Sequence, residues 1–176
     1  VDFISFHPYE YQKEQVRNEM HWYGQYVSKP WIIGETAIPA DNDSVPYADQ
    51  LAFARKTLEQ ARACGAVGYT WWQFKDVGWG TYHADYMGVM SRTGDTRVAD
   101  GLPHVQGTVK SVAQAFREFD PNAPRGACVQ LPNYYNFSSL SAARLTGRLL
   151  DEAGKPIEGG VVTGWNAGWT ASYYTI

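Results

Sequence analysis

The sequence predicts an α/β fold built around a parallel sheet. Three short apolar or β-branched runs, each bounded by turn residues, alternate with two segments of helical periodicity. Since parallel strands are joined by right-handed crossovers, this alternation places the three strands in one sheet with the helices packed against it. The C-terminal part instead carries short strand-like runs separated by turns, which indicates the beginning of an all-β domain.

The first two predicted strands are separated by one helix. Residues 2–7 are aromatic and β-branched and precede Pro8, so they predict the first strand. Residues 13–27 place apolar side chains at alternating four- and three-residue steps, which is the spacing of an amphipathic helix. Pro30 ends this helix, and residues 31–33 form an apolar run that predicts a short buried strand.

A second helix and a third strand complete the alternation. The helix is predicted from Tyr47 to Ala61, after a polar loop rich in N-capping residues, and Gly65 ends it. Residues 66–72 predict the third strand. The predicted strands begin at residues 2, 31 and 66, about 29 and 35 residues apart, close to the ~30 residues of one unit of a (β/α)₈ barrel. A doubly wound sheet fits the same alternation.

The remainder of the chain changes character. A long loop, 77–105, precedes a third predicted helix at 109–119. Residues 121–143 lack periodicity and are rich in turn residues, so they predict an interdomain linker. Residues 144–150 and 160–165 then predict two strands. Because two strands are too few for a core of their own, we expect a β-sandwich that begins in this segment.

The composition excludes several classes of protein. The chain has 176 residues and is 44% hydrophobic, so it can bury a core, and its net charge of -3 favours neither a nucleic-acid partner nor an anionic membrane. No apolar stretch reaches the ~18 residues of a membrane span. The 7 Trp and 12 Tyr suggest flat, uncharged ligands such as sugar rings, although a single Trp is more often a packing residue.

The cysteines and histidines predict neither a metal nor a cofactor. Two cysteines, Cys64 and Cys128, leave open whether they pair. The four histidines show no metal-ligand spacing: His7, His21, His83 and His104. The chain opens on Val1-Asp2 without a signal peptide, and we interpret this opening as a cut end.

Polar and aromatic side chains follow the end of each predicted strand. His7 and Tyr9 follow the first strand, Glu35 follows the second, and Trp72 ends the third. Because the carboxyl ends of parallel strands share one edge of the sheet, these side chains are expected to lie together. Gly34 removes bulk beside Glu35 and allows another group to approach it. For an isolated glutamate, a solvated position in a loop is the simpler interpretation. The expected proximity of His7, Tyr9 and Trp72 is what favours a functional role for Glu35.

Three motifs resemble a known clan when they are taken together. They are His7-Pro8-Tyr9, Ile33-Gly34-Glu35-Thr36 and Tyr69-Thr70-Trp71-Trp72-Gln73-Phe74-Lys75-Asp76. In this order they resemble the last three strands of the retaining β-glycosidase clan of TIM barrels, which includes cellulase-, mannanase- and β-galactosidase-like enzymes. The resemblance covers roughly residues 1–120 and implies about strands 6–8 of a (β/α)₈ TIM barrel.

The resemblance also implies a role for each site residue. It makes Glu35 the catalytic nucleophile and places the Tyr9 hydroxyl against that carboxylate. It places Trp72 beneath the sugar at the cleavage point, with Trp71 as the less favoured candidate. The expected substrate-binding residues are His7, Tyr9, Trp72, Trp71, Asp76 and Trp79. A retaining enzyme would then cleave β-linked poly- or oligosaccharides by double displacement.

The chain departs from the clan in one important respect. The acid/base glutamate of the clan ends strand four, whereas this sequence begins at what resembles strand six. We therefore expect the acid/base to lie in a missing N-terminal part of the same polypeptide, and residues 1–176 alone to be inactive. Glu10 and Asp76 are the acids expected near Glu35, and a substrate-positioning or structural role is expected for both.

The tail, residues 144–176, resembles the opening of a carboxypeptidase-regulatory-like β-sandwich. The matching residues run from Leu145 to Asp151 and from Gly154 to Val162. Such domains are accessory modules on many secreted enzymes, so the resemblance implies a secreted, periplasmic or cell-surface protein.

Two other functions fit the sequence. The first is a non-catalytic carbohydrate-binding or cell-surface protein on a barrel scaffold, in which Trp71, Trp72 and Trp79 bind glycan. The second is an unrelated α/β enzyme in which His7 acts as a base oriented by Glu35. That enzyme would need a nucleophile, and the sequence contains no Gly-x-Ser-x-Gly motif.

Overall fold

The computed structural model describes residues 2–10, 13–80, 85–96, 105–131, 147–158, 162–165 and 172–175. Three parallel strands form its centre, namely β1 (Ile4–Phe6), β2 (Trp31–Ile33) and β3 (Gly68–Tyr69), with β2 in the middle. In the register, Ile4 lies opposite Trp31 and Ile33 lies opposite Tyr69. The predicted parallel sheet is therefore confirmed.

Strand β3 is shorter than the sequence predicted. Its pairing with β2 ends at Tyr69, whereas residues 66–72 were predicted as strand. Beyond this point the backbone bonds to loops, because the Trp72 amide donates to the Thr36 carbonyl and the Gln73 amide donates to the Met87 carbonyl. The carboxyl edge of the sheet is thus extended by loop-to-loop hydrogen bonds.

Helix α1 (Gln15–Tyr26) follows β1 and begins two residues later than predicted. Glu14 has a left-handed backbone, with φ of 67°, so the helix cannot start before it. The Glu10 carboxylate accepts the amides of Glu14 and Val16 and so satisfies donors that the first helical turn leaves unpaired.

Helix α2 (Tyr47–Ala63) joins β2 to β3, and its start agrees with the sequence. Asp41 shapes the loop before it by accepting the backbone amides of Asp43, Ser44 and Val45. These hydrogen bonds lower the pKa of Asp41 to about 2, because they stabilise its ionised form. Pro46 then occupies the N-cap position.

The segment after β3 contains structure that periodicity did not indicate. A short antiparallel pair is formed by β4 (Asp95–Thr96), inside the stretch predicted as one long loop, and β5 (Val105–Gln106), which begins at the last residue of that stretch. Helix α3 (Ala113–Arg117) is shorter than the predicted helix at 109–119. The reason is that Val109 forms a bridge with Met90, which keeps the chain extended at the residue where the helix was expected to begin.

The main core lies between the sheet and helices α1 and α2. It consists of Val16, Met20, Trp31, Ile33, Ala61 and Cys64. The Phe6 and Tyr23 rings stack beside it with centroids 3.7 Å apart. Burial of a large apolar side chain such as Met20 or Ile33 contributes about 1.5–3 kcal/mol through removal from water. Trp31 is 3% exposed and is therefore a packing residue, as most tryptophans are.

A strap, defined as residues 120–131, runs from α3 across helices α1 and α2. A disulfide joins Cys64 to Cys128, which answers the question of pairing that the sequence left open. Arg62 donates to the carbonyls of Asp120, Pro121 and Ala123. The strap belongs to the predicted linker, and its described residues are fastened to the helices.

Two β segments follow the strap. Leu149 and Ile157 bond across a turn whose amides are accepted by Asp151. Strand β6 (Val162–Trp165) pairs antiparallel with β7 (Ser172–Thr175), and β6 falls within the predicted strand at 160–165. Residues 132–146 of the predicted linker and first tail strand lie outside the described residues, and the β-sandwich stays a prediction. No helix in the described part of the chain is long and apolar enough to cross a membrane.

Candidate active site

The carboxylate of Glu35 is the centre of a polar cluster at the carboxyl edge of the sheet. The Tyr9 hydroxyl donates to Glu35 Oε2 at 2.8 Å, as the sequence predicted. Nδ1 of His7 lies 3.6 Å from the same oxygen. The Glu35 side chain is 29% exposed, so it is held by its neighbours and is still reachable from solvent.

A serine that the sequence analysis did not identify joins this cluster. Ser5 Oγ lies 3.2 Å from His7 Nε2. The available signal was the two-residue alternation of a strand, which puts Ser5 and His7 on the same face of β1. A Ser5 hydroxyl that donates to Nε2 leaves the ring proton on Nδ1, where it faces the Glu35 carboxylate.

Gly34 makes this close packing feasible. A Cβ at this position would overlap Ser5 Oγ and would lie 2.6 Å from His7 Nε2, which is too close for either atom. The sequence predicted that glycine here would allow a group to approach Glu35. The approaching groups in the structure are side chains of the neighbouring strand.

The two adjacent tryptophans have different surroundings. Trp72 is 37% exposed, and its backbone amide donates to the carbonyl of Thr36, the residue after Glu35. The peptide bond that follows Trp72 is cis. The Trp71 ring instead packs against Phe53 and Phe116, and its indole donates to the Met87 carbonyl at 2.8 Å. Trp71 therefore faces the core, and these contacts favour Trp72 as the ring that meets a ligand.

Asp76 lies in the interior. Its Oδ1 accepts from Lys110 Nζ and from the Gly88 amide, each at 2.7 Å, and its side chain is 3% exposed. Burial raises the pKa of Asp76 and lowers the pKa of Lys110, while each charge opposes the shift of the other. Of the two roles considered for Asp76, the geometry favours structure over contact with substrate.

Glu10 also has a structural environment. Its two carboxylate oxygens accept amides at the start of α1, as described above. Burial is the main reason that the pKa of Glu10 rises to about 7, with smaller contributions of the same sign from Glu14 and Glu19. The role of Glu10 in the structure is therefore to cap the start of α1.

Trp79 projects from a loop that is tethered on both sides. Its side chain is 80% exposed. On one side, the Val77 amide donates to the Asp85 carbonyl at 3.0 Å. On the other side, the Gly80 amide donates to Asp85 at 2.9 Å. An exposed indole on a tethered loop can offer a flat apolar face to a ligand.

The described residues contain no group of three or more His, Cys, Asp or Glu side chains arranged to hold a metal ion. Among the histidines, His21 lies with Nδ1 3.7 Å from Cys128 Sγ, away from Glu35. His83 and His104 lie outside the described residues. The cluster around Glu35 is thus an arrangement of one carboxylate with hydroxyl and imidazole groups.

Comparison with known proteins gives a likeness of fold. No protein-family model matches the chain, and no curated protein matches it by sequence. Among solved structures, the chain is similar to a GH5_18 protein variant from Bifidobacterium longum subsp. longum, solved in complex with Manβ1-4GlcNAc. The match has a TM-score of 0.50 and 18% sequence identity, and it covers 90% of this chain and 36% of that chain. At this identity the likeness shows an α/β fold alone, and the chain spans about a third of the length of that protein.

Proposed function

We propose that the chain is part of a retaining glycoside hydrolase in which Glu35 is the nucleophile and the acid/base lies outside this chain. The observation that carries the proposal is the 2.8 Å hydrogen bond from Tyr9 to Glu35 at the carboxyl edge of a parallel sheet. Barrel enzymes place catalytic groups at this edge. The likeness of fold to a GH5_18 protein agrees with this proposal.

The reaction would proceed by double displacement. One Glu35 oxygen attacks the anomeric carbon while the external acid protonates the leaving oxygen, and a glycosyl ester forms. The external group, now a base, then deprotonates a water molecule, which cleaves this ester and regenerates the Glu35 carboxylate. Tyr9 and His7 would hold Glu35 in one rotamer, and the Tyr9 hydroxyl would donate to the carboxylate before it attacks and again when hydrolysis of the ester releases it.

The substrate would be a β-linked poly- or oligosaccharide. The exposed Trp72 is suited to contact the apolar face of the sugar at the cleavage point, and Trp79 to contact a sugar further along the glycan. The disaccharide bound in the similar structure is Manβ1-4GlcNAc, so aryl β-mannosides are the first test substrates. A secreted, periplasmic or cell-surface location would bring such an enzyme to its polymer.

The direct test compares Glu35→Gln with the unchanged enzyme in the full-length protein. Turnover of aryl β-glycosides should be lost while glycan binding measured by calorimetry persists, because the substitution removes the charge and keeps the shape. A 2-deoxy-2-fluoro glycoside should add one sugar mass to the unchanged enzyme and none to the variant. Glu59→Gln, on the exposed face of α2, is the matched control. Near-normal turnover by Glu35→Gln would refute the assignment.

A second candidate function has one specific observation in its favour. Ser5, His7 and Glu35 are aligned as a nucleophile, a base and an acid, with separations of 3.2 and 3.6 Å. This alignment supplies a nucleophile, Ser5, for the unrelated α/β enzyme in which His7 acts as a base oriented by Glu35, and such an enzyme would hydrolyse esters. It is the weaker candidate, because the 3.6 Å between His7 and Glu35 is longer than a hydrogen bond, whereas Tyr9 donates to the same Glu35 oxygen at 2.8 Å. Ser5→Ala separates the two functions, since it would abolish ester hydrolysis and leave glycoside turnover measurable.

The remaining alternative is a carbohydrate-binding protein without catalysis. It would bind the glycan through Trp72 and Trp79 and show no turnover or covalent labelling in the full-length, unmodified protein. The labelling experiment therefore distinguishes it from the hydrolase as well.

A further inference from the structure

A buried lysine links the two loops that carry the proposed site. Lys110 lies shortly before α3, and its side chain is 0% exposed. Its ammonium donates to Asp76 Oδ1 at 2.7 Å and to the carbonyls of Ala40 and Tyr86 at 2.9 Å each. An ammonium has three N–H donors, so these three acceptors use its full capacity.

The three acceptors belong to different parts of the site. Ala40 follows Glu35 in the loop between β2 and α2. Asp76 and Tyr86 follow Trp72 in the segment after β3. The Ala40 amide also donates to the Tyr86 carbonyl at 3.0 Å, directly beside the lysine. Lys110 therefore connects the loop of Glu35 to the loop of Trp72, beside Gln50, whose side chain donates to the carbonyls of Ile38 and Tyr86.

Stability alone does not explain a lysine at this position. Moving an ammonium and a carboxylate out of water is costly, and an apolar pair of similar volume is often as stable or more stable. The centroid of the Tyr47 ring lies 5.2 Å from Nζ, and this cation–π contact partly offsets the cost of removing the ammonium from water. What an apolar pair cannot supply is three directed hydrogen bonds to fixed loop atoms.

We propose that Lys110 is a positioning residue that holds the Glu35 loop and the Trp72 loop in the separation needed for catalysis. This inference rests on the proposed glycoside hydrolase function, and it assigns to Lys110 no contact with substrate. A displacement of about 1 Å in a reacting group can cost on the order of 100-fold in rate, which gives such a residue a measurable effect.

The experiment uses the full-length protein with Lys110→Met alone and with Lys110→Met combined with Asp76→Asn. The single variant leaves the Asp76 carboxylate buried without its cation, and a large loss of thermal stability is expected. The double variant removes both charges, and its new asparagine side chain keeps an oxygen for the Gly88 amide, so most of that stability should return. Lys56→Met is the matched control, because Lys56 is an exposed lysine whose ion pair lies on the helices.

Kinetics of the folded double variant decide the role. The proposal predicts that kcat for an aryl β-glycoside falls at least tenfold although thermal stability has returned. KM is expected to change less than kcat, because sugar contacts outside the cleavage point are kept. Recovery of kcat together with stability would overturn the proposal and leave Lys110 with a purely structural role.

Hydrogen exchange provides a readout that does not depend on activity. In the double variant the amides of Ala40 and Trp72, which bond across the two loops, should exchange at least tenfold faster, while amides of α1 keep their rates. Unchanged exchange at these two amides would also overturn the proposal. If the unmodified protein shows no turnover, the proposed function fails, and the exchange result alone still decides whether Lys110 fixes the loops.

Discussion

Removal of the Cys64–Cys128 disulfide should lower stability by an amount that follows from its place in the chain. The two cysteines are 64 residues apart in sequence. Closing a loop of this length restricts the unfolded chain by an entropy equivalent to about 4 kcal/mol at 25 °C. For a domain of about 150–250 residues, where 1 kcal/mol corresponds to roughly 2–4 °C, the expected decrease of the unfolding midpoint is about 8–16 °C.

The folded strap should survive this change. Arg62 holds the carbonyls of Asp120 and Pro121, and the Asn18 side chain accepts the Leu131 amide at 3.0 Å. Gln60 donates to the Val129 carbonyl at 2.7 Å. Because these hydrogen bonds do not require the disulfide, most of the expected loss belongs to the unfolded state.

The assay is thermal unfolding of the full-length protein, with the unchanged chain compared with Cys64→Ser/Cys128→Ser. Cys64 is 7% exposed, so reduction should be carried out by unfolding and refolding in reductant. Reductant should lower the midpoint of the unchanged protein to that of the double serine variant and leave the variant unaffected. Equal midpoints for the oxidised and reduced protein would refute the reasoning, because they would show that the bond does not constrain the unfolded chain.

Two further predictions concern Glu10 and Gly34. The pKa of Glu10 is raised from 4.5 to about 7. Its contribution to the free energy of unfolding, at most ~3 kcal/mol, is therefore fully present below about pH 4.5 and is lost as the pH rises through about 7. Urea unfolding across this range should show that slope, and Glu10→Gln should remove it; equal slopes would contradict the stated origin. Gly34→Ala should lower turnover and cost ~1–3 kcal/mol, because its Cβ displaces Ser5 and His7. Gly126→Ala, where a Cβ meets open space, is the control, and equal effects of the two changes would exclude this explanation.

The sequence determined the local elements and the edge at which the site lies. Residues 31–33 were predicted as a strand and form β2, and α2 starts at Tyr47 as predicted, because turn residues and periodicity act within a few neighbours. The proximity of Tyr9 to Glu35 also followed from sequence, since the ends of adjacent parallel strands share one edge, while the contact of the hydroxyl with the carboxylate was implied by the resemblance to the glycosidase clan.

Tertiary structure decided the features that depend on packing between segments distant in sequence. Periodicity could not foresee that Val109 would bridge to Met90 and so delay the start of α3. It could not distinguish Trp71 from Trp72, since adjacent residues differ only in which neighbours the fold brings to them.

The ion pair of Asp76 with Lys110 has the same origin. The two residues lie 34 positions apart, and only the folded loops bring an ammonium to that carboxylate. Short-range patterns specify which backbone forms because they depend on local sterics and hydrogen bonding. Side-chain partners depend on packing between segments, and this packing is fixed only when the whole sheet, its helices and its loops are in place.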